Sequence, residues 1–166
     1  PEKAKKLLAE AGYPNGFEIP FLAYRNRDYA EAMINNLNAV GIKAKLEYLK
    51  YAAFRDKVQS GGSPFNFGTW GSYSINDVSA ITSHFQSGGK DDYSKDPEVI
   101  KQLGIGDTSV DANVRKAAYK AALSRITGEV FMFPLWSYNT WYAFSKDVDF
   151  NPTPDEIPRF FTAKWM

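Results

Sequence analysis

Cysteine is absent from the 166 residues. That excludes a disulfide framework, a thiolate metal site and a cysteine nucleophile together, and allows an oxidising compartment without requiring one. Histidine is nearly absent, with His84 the single imidazole, so a metal centre would have to come from scattered carboxylates. No apolar run reaches the roughly 18 residues of a membrane span, and the opening residues carry charge in place of a secretory leader's apolar core. Charge of one sign is not in excess, since 20 Lys and Arg face 19 Asp and Glu for a formal +1. This leaves no electrostatic footprint for nucleic acid. Repeats of solenoid length and low-complexity segments are missing too.

What is present is an ordinary globular balance, 44% hydrophobic and 23% charged, enough for one domain with a real core and too short for a second full one. The aromatic share is high at 16%, with four Trp, ten Tyr and twelve Phe gathered in a few segments. Rings concentrated in this way fill a core or line a binding surface.

Pro1 to Ala11 combines proline in a first turn with strong helix formers and ends at Gly12, which predicts a short amphipathic helix. Beginning directly inside such an element is what a piece cut from a longer protein would do. Tyr13 to Gly16 reads as a turn. Phe17 to Tyr24 alternates as a strand in which Pro20 implies an edge or a bulge. Ala30, Met33, Ile34, Leu37 and Val40 follow helical spacing up to Gly41, and Ile42 to Leu49 alternates again. A second unit follows, with a helix over 51–59, turn glycines Gly61 and Gly62, and an aromatic strand over 65–71. Parallel strands joined by crossover helices are the economical reading.

Ser72 to Asn76 then reads as a loop, with Asp77 as N-cap of a helix running through Phe85. Positions 86–96, which include the Gly88-Gly89 turn, read as a surface loop. Helices are predicted over 97–103 and 110–127, the second with an apolar stripe at Val114, Ala117, Ala118, Ala121, Ala122 and Leu123 suited to packing on a sheet. The aromatic run over 130–144 predicts strand, turn and strand. The proline-rich stretch from Asn151 to Pro158 reads as an extended tail.

Enzyme chemistry is thinly represented. A Ser-His-Asp arrangement needs a histidine within reach of a nucleophile, and nothing here resembles a nucleophile elbow. His84 reads as a partly exposed helical histidine, or else as the partner of Asp77 in a hydrolase. Asp91-Asp92 lacks calcium-loop spacing and reads as a solvated pair. Most informative is 69–77, where a strand's carboxyl end passes into a helix, since ligands settle at such points in open α/β sheets. Trp70 offers a flat apolar face, and Ser72, Tyr73, Ser74 and Asn76 offer hydrogen bonds. The helix start would offer free N–H groups to an anion. Against this stands the reading that Trp70 is buried core and the loop only caps the helix. The sequence weighs the two equally.

At this point the residues resemble a known family, the bacterial extracellular solute-binding proteins of family five, which includes dipeptide-, oligopeptide- and nickel-binding proteins of ABC importers. The stretch from Pro1 to Phe17, PEKAKKLLAEAGYPNGF, looks like that family's most recognisable run. Asn36-Leu37 with Val40 to Ala44, then Thr69-Trp70-Gly71, then Arg115 to Ile126, then Phe133-Pro134-Leu135 resemble later family features in the same order.

The resemblance implies an α/β lobe of the type II periplasmic-binding-protein fold, with a mixed, mostly parallel sheet flanked by helices. Residues 1–166 would be the C-terminal lobe of a two-lobed protein whose N-terminal part lies outside this chain. It implies a substrate-binding component of an ABC importer, not an enzyme. Such a protein holds a peptide or similar small solute between its lobes and delivers it to membrane permease subunits, outside the cytoplasm and either lipid-anchored or soluble. The composition argues separately against a nucleic-acid partner and a metal held by protein ligands alone, and no cofactor is expected. A docking module is the remaining alternative. Peptide binders of this family often carry Asp three residues after the tryptophan, where Tyr73 stands here, and a proline after the second acidic residue, where Val78 follows Asp77. That leaves peptide, opine, sugar-linked compound and metal chelate open. The candidate ligand-binding residues are Trp70, Ser72, Tyr73, Asn76, Asp77, Trp136 and Tyr138; alternatively Asp77 only caps its helix.

Overall fold

Alternating apolar residues give Phe17–Ala23 a strand, β1, buried at Phe21, Leu22 and Ala23. The computed structural model describes residues 1–71, 75–153 and 157–166. They divide into two units, 1–69 and 70–166.

In the first unit, α1 (Glu2–Glu10) precedes β1 and buries none of its residues. Helix α2 (Arg27–Asn38) leads to β2 (Ile42–Tyr48), and α3 (Tyr51–Gln59) leads to β3 (Asn66–Phe67). The sheet order is β2-β1-β3 and both pairings are parallel, Phe17 facing Ile42 and Leu22 facing Asn66. This is the β-α-β reading of the sequence. Because strand side chains alternate between faces, Phe21 and Ala23 join Ala44, Phe67 and the α2 residues Ala30 and Ile34 on one side. Leu22 joins Phe54 and Val58 of α3 on the other. Burying side chains such as Phe21 and Leu22 contributes about 2–3 kcal/mol each.

Pro20 lies in the central strand, not at an edge or bulge. The amide of Leu22 points toward β3, where it meets the Phe65 carbonyl at 3.0 Å. Residue 20 faces the same way by alternation, and β3 pairs only as far as Leu22 and Ala23, so the missing N–H leaves no acceptor unpaired. The strand expected over 65–71 shortens to Asn66–Phe67 because β1 turns away at Tyr24 and nothing remains to pair with.

The second unit opens with α4 (Ser79–Phe85), followed by α5 (Pro97–Thr108) and α6 (Ala112–Gly128). Asp77 is not the N-cap residue; Val78 is, although the Asp77 carboxylate does accept the Ser79 N–H at 2.9 Å. Helix α5 runs five residues past Leu103, through two glycines that local propensity disfavours. Packing overrides that: a Cβ at Gly106 would sit 2.6 Å from the Tyr119 ring, so only glycine lets α6 approach this closely. The buried face of α6 is Ala118, Tyr119, Ala122 and Ile126, set against Val99 and Leu103 of α5. Of the expected stripe, Ala118 and Ala122 are buried, while Val114, Ala117, Ala121 and Leu123 are exposed. Its partner is a helix and not a sheet.

Asp91 and Asp92, expected to be solvated, are buried. Asp92 accepts the Gly88 and Lys95 amides, both at 2.9 Å, and the Ser94 hydroxyl at 2.7 Å. These bonds knot the loop between α4 and α5 around one carboxylate, which supplies the polar partners that burial demands.

Residues 130–144 form no strand and are mostly exposed, which corrects the strand-turn-strand reading. Extended chain becomes strand only beside a ladder partner, and the described residues offer none here. Tyr142, Phe144 and Phe160 instead gather round Phe150 at 5.5–5.9 Å between ring centroids. Beyond them β4 (Val148–Asp149) pairs antiparallel with β5 (Lys164–Trp165). Of the tail over 151–158, residues 154–156 lie outside the described residues and the remainder has no regular structure.

Two predictions follow from local geometry. At Gly16, φ is +73° and an added Cβ would land 1.8 Å from the Gly41 carbonyl oxygen. Gly16→Ala is expected to destabilise the protein by about 2 kcal/mol or more, from left-handed strain and overpacking; an unchanged urea midpoint would contradict this.

The second concerns Asp96, the N-cap of α5, which accepts a two-pronged contact from the Arg125 guanidinium at 2.9 and 2.7 Å. Arg125 first, then the Val99 and Glu98 amides, hold its carboxyl down to about 2. The ordinary value is about 3.9, so the folded state binds fewer protons than the unfolded one at intermediate pH. The contribution is present above pH about 4 and lost as pH falls toward about 2. Asp96→Asn should flatten the urea midpoint across that window, and a slope equal to that of the unaltered protein would count against the assignment.

Candidate ligand-binding wall

Trp70 is not core. It is 42% exposed, and its indole lies on the His84 imidazole with ring centroids 4.2 Å apart and 23° between planes. Phe85, the next residue of α4, meets Trp70 edge-on at 5.2 Å and His84 edge-on at 4.6 Å. The two residues reach Trp70 together because they close the last turn of one helix. On its other side His84 Nε2 lies 3.2 Å from Asp91 Oδ2. Of the two sequence readings of Trp70, burial is therefore the one the structure removes.

Asp77 is held by its own chain. One oxygen takes the Ser79 amide, and the other accepts from Arg115 at 2.6 Å. The Ser79 amide first, and then Arg115, keep the Asp77 carboxyl below the usual range. Arg115 also donates to the Gly106 carbonyl at 2.7 Å and lies over the Tyr119 ring. Tyr119 donates to Asp107 at 2.7 Å, and burial, then Asp107, push its phenol up to about 12.

These bonds decide two questions. First, the first four amides of α4 are taken: Ser79 N–H goes to Asp77, and the amides of Ala80, Ile81 and Thr82 go to the carbonyls of Asp77 and Val78. The anion site expected at this helix start is filled by the chain itself. Second, Asp77 bonds Arg115 and Ser79 while His84 Nε2 lies against Asp91, so each is engaged elsewhere and not as the dyad of the hydrolase reading.

Of the remaining candidates, Asn76 is exposed, and Trp136 and Tyr138 are half-exposed rings meeting edge-on at 6.4 Å. Ser72 and Tyr73 lie outside the described residues. No group of three or more His, Asp or Glu among the described residues is placed to hold a metal ion. No described helix is long and apolar enough to cross a membrane.

Sequence reasoning missed the brace under Trp70. Neither His84 nor Asp91 carries a motif, and their contact depends on the chain doubling back after α4. The only available signal was the density of Gly, Ser and Asp over 86–96, which reads as a turn-rich loop and is in fact a knotted one.

A platform of this kind, a flat ring presented outward with polar groups nearby, can hold a small solute by stacking and hydrogen bonding. Comparison with known proteins bears on which kind. The chain matches the family "Bacterial extracellular solute-binding proteins, family 5 Middle" over residues 1–92. It is 38% identical over 69 residues to Heme-binding protein A of Haemophilus influenzae, which is 37% of this chain and 13% of that protein. It resembles the structure of the periplasmic binding protein AgaA of A. tumefaciens, solved with agropinic acid, at 33% identity and a TM-score of 0.64. That match covers 75% of this chain and 27% of AgaA. A dipeptide binding protein of a Pseudoalteromonas species, solved with Met-Leu, superposes on the whole chain with a TM-score of 0.77 at 24% identity, a likeness of fold that covers 36% of that protein. The chain thus spans about a third or less of the length of these relatives. Its fold is the α/β fold of periplasmic binding proteins, and with more than half of its residues matched it belongs to the bacterial extracellular solute-binding proteins of family 5.

Proposed function

We propose that this chain is the C-terminal lobe of an extracytoplasmic substrate-binding component of an ABC importer. The complete protein holds a peptide or similar small solute between two lobes and hands it to permease subunits in the membrane; it is a carrier and not an enzyme. Trp70, Ser72, Tyr73, Asn76 and Asp77, with Trp136 and Tyr138, line this lobe's side of the cleft. The relatives' names speak of haem, agropinic acid and Met-Leu, which set the range of ligands without choosing among them.

The observation that carries this reading is the exposed indole of Trp70, held flat at the turn from a parallel strand toward a helix. A buried indole would be structure alone. A tryptophan that stays 42% exposed while its ring is stacked on His84 and Phe85 offers a ligand an apolar surface. Asp77 enters the cleft as a fixed charge and not as a free partner, because Arg115 already neutralises it. Exposed rings along 131–144 fit the same picture, since closure of two lobes around a ligand buries surface that one lobe leaves open.

The test uses the full-length protein, purified without denaturation. Native mass spectrometry reads any ligand carried along, and calorimetry measures binding of Met-Leu, agropinic acid and haem. Expected is tight, unaltered retention of one of these ligands or of the co-purified one, weakened at least about ten-fold by Trp70→Ala, as for a buried aromatic anchor. Product formation that disappears in His84→Ala, or affinity indifferent to Trp70→Ala, would refute the reading.

A further inference from the structure

A tryptophan in a loop has two soft side-chain torsions, and left alone its indole would swing through several rotamers. Here the swing is opposed at three successive levels. The His84 imidazole lies parallel to the indole at 4.2 Å, and Phe85 wedges against the edges of both. His84 is itself set against Asp91, with Nε2 3.2 Å from Oδ2. Asp91 is 8% exposed, in the loop whose neighbouring carboxylate, Asp92, gathers the Gly88 and Lys95 amides and the Ser94 hydroxyl.

We infer that His84 and Asp91 are positioning residues that lock Trp70 as a one-faced stacking platform. The proposal rests on the reading of Trp70 as part of the ligand wall. With one face covered by imidazole, a ligand would stack on the opposite face. A ligand group meeting it is flat or apolar and about the width of one ring. The rotamer entropy of Trp70 is lost on folding and not again on binding, which is how preorganisation raises affinity. A core residue would not need this brace because burial would fix it. A solvent-facing loop residue would not need it because nothing depends on its orientation.

The experiment takes the full-length protein and two readouts. Time-resolved fluorescence anisotropy, with a Trp70→Phe protein subtracting the other indoles, reports the motion of Trp70 itself. His84→Ala is expected to add a rapid wobble to Trp70, and His84→Phe, which keeps a flat ring, to leave it as still as in the unaltered protein. His84→Gln keeps a polar neighbour for Asp91 but loses the ring, and it should behave like the alanine variant if the stack is what matters. Calorimetry with Met-Leu and agropinic acid supplies the functional arm: His84→Ala weakens the probe that binds by about three- to ten-fold, and His84→Phe by no more than about two-fold.

An indole equally still in His84→Ala and His84→Gln overturns the brace, whatever the ligand. Affinity lost in Trp70→Ala but kept in both of those variants overturns the positioning role and leaves the wall standing. Affinity indifferent to Trp70→Ala removes the wall, and with it the purpose of the platform.

Discussion

The Arg115 guanidinium joins three segments that are far apart in sequence: the start of α4 through Asp77, the α5 backbone through the Gly106 carbonyl, and α6, from which it projects. A helix of seven residues makes too few internal hydrogen bonds to stand alone in water, so α4 exists because something holds it. The ion pair itself, partly exposed, is worth little. What makes the junction effective is its surroundings: Val78 packs on the α5–α6 core, Thr82 is buried and bonds the Val78 carbonyl, and Tyr119 fills the space Gly106 leaves free. His84 and Phe85 close the far end of this short helix, and the orientation of Trp70 is only as definite as theirs.

The first unit is built on a different economy. Its central strand is buried on both faces, with α2 over Phe21 and Ala23 and α3 over Leu22. That is the arrangement a parallel sheet requires, because crossover helices cover each side. Polar function is therefore pushed to strand ends and loops. Tyr24, Arg25 and Thr69 illustrate this, their hydroxyl and guanidinium groups meeting at 3.0 Å where β1 and β3 finish.

Where periodicity was strong, the fold could be read from residues alone. The alternation of Phe17, Ile19 and Phe21 and the helical spacing of Ala30, Ile34 and Leu37 each mark a face that a neighbour must cover, so local pattern and tertiary packing agree. Reading failed where contacts across long separations overruled local preference. Gly104 and Gly106 look like a helix stop until Tyr119 is known to need the room. Asp96 sits in a stretch that reads as a surface loop, yet it caps α5 and takes Arg125, 29 residues later, which no local pattern announces. The aromatic run over 130–144 has every propensity of a strand and no partner to pair with among the described residues. The candidate wall was half legible. Trp70 could be singled out from its place after a strand, but its exposure and the imidazole beneath it could not, because both depend on a loop folding back through buried Asp91 and Asp92.

The central claim is that the open face of Trp70 meets ligand, and the most direct measurement is the indole Nε1–H resonance of Trp70 in the 15N-labelled full-length protein, assigned by its disappearance in Trp70→Phe and followed as Met-Leu or agropinic acid is added. The account predicts a saturating shift of that resonance in step with binding measured by calorimetry. A probe that binds while the Trp70 resonance stays where it was would contradict it.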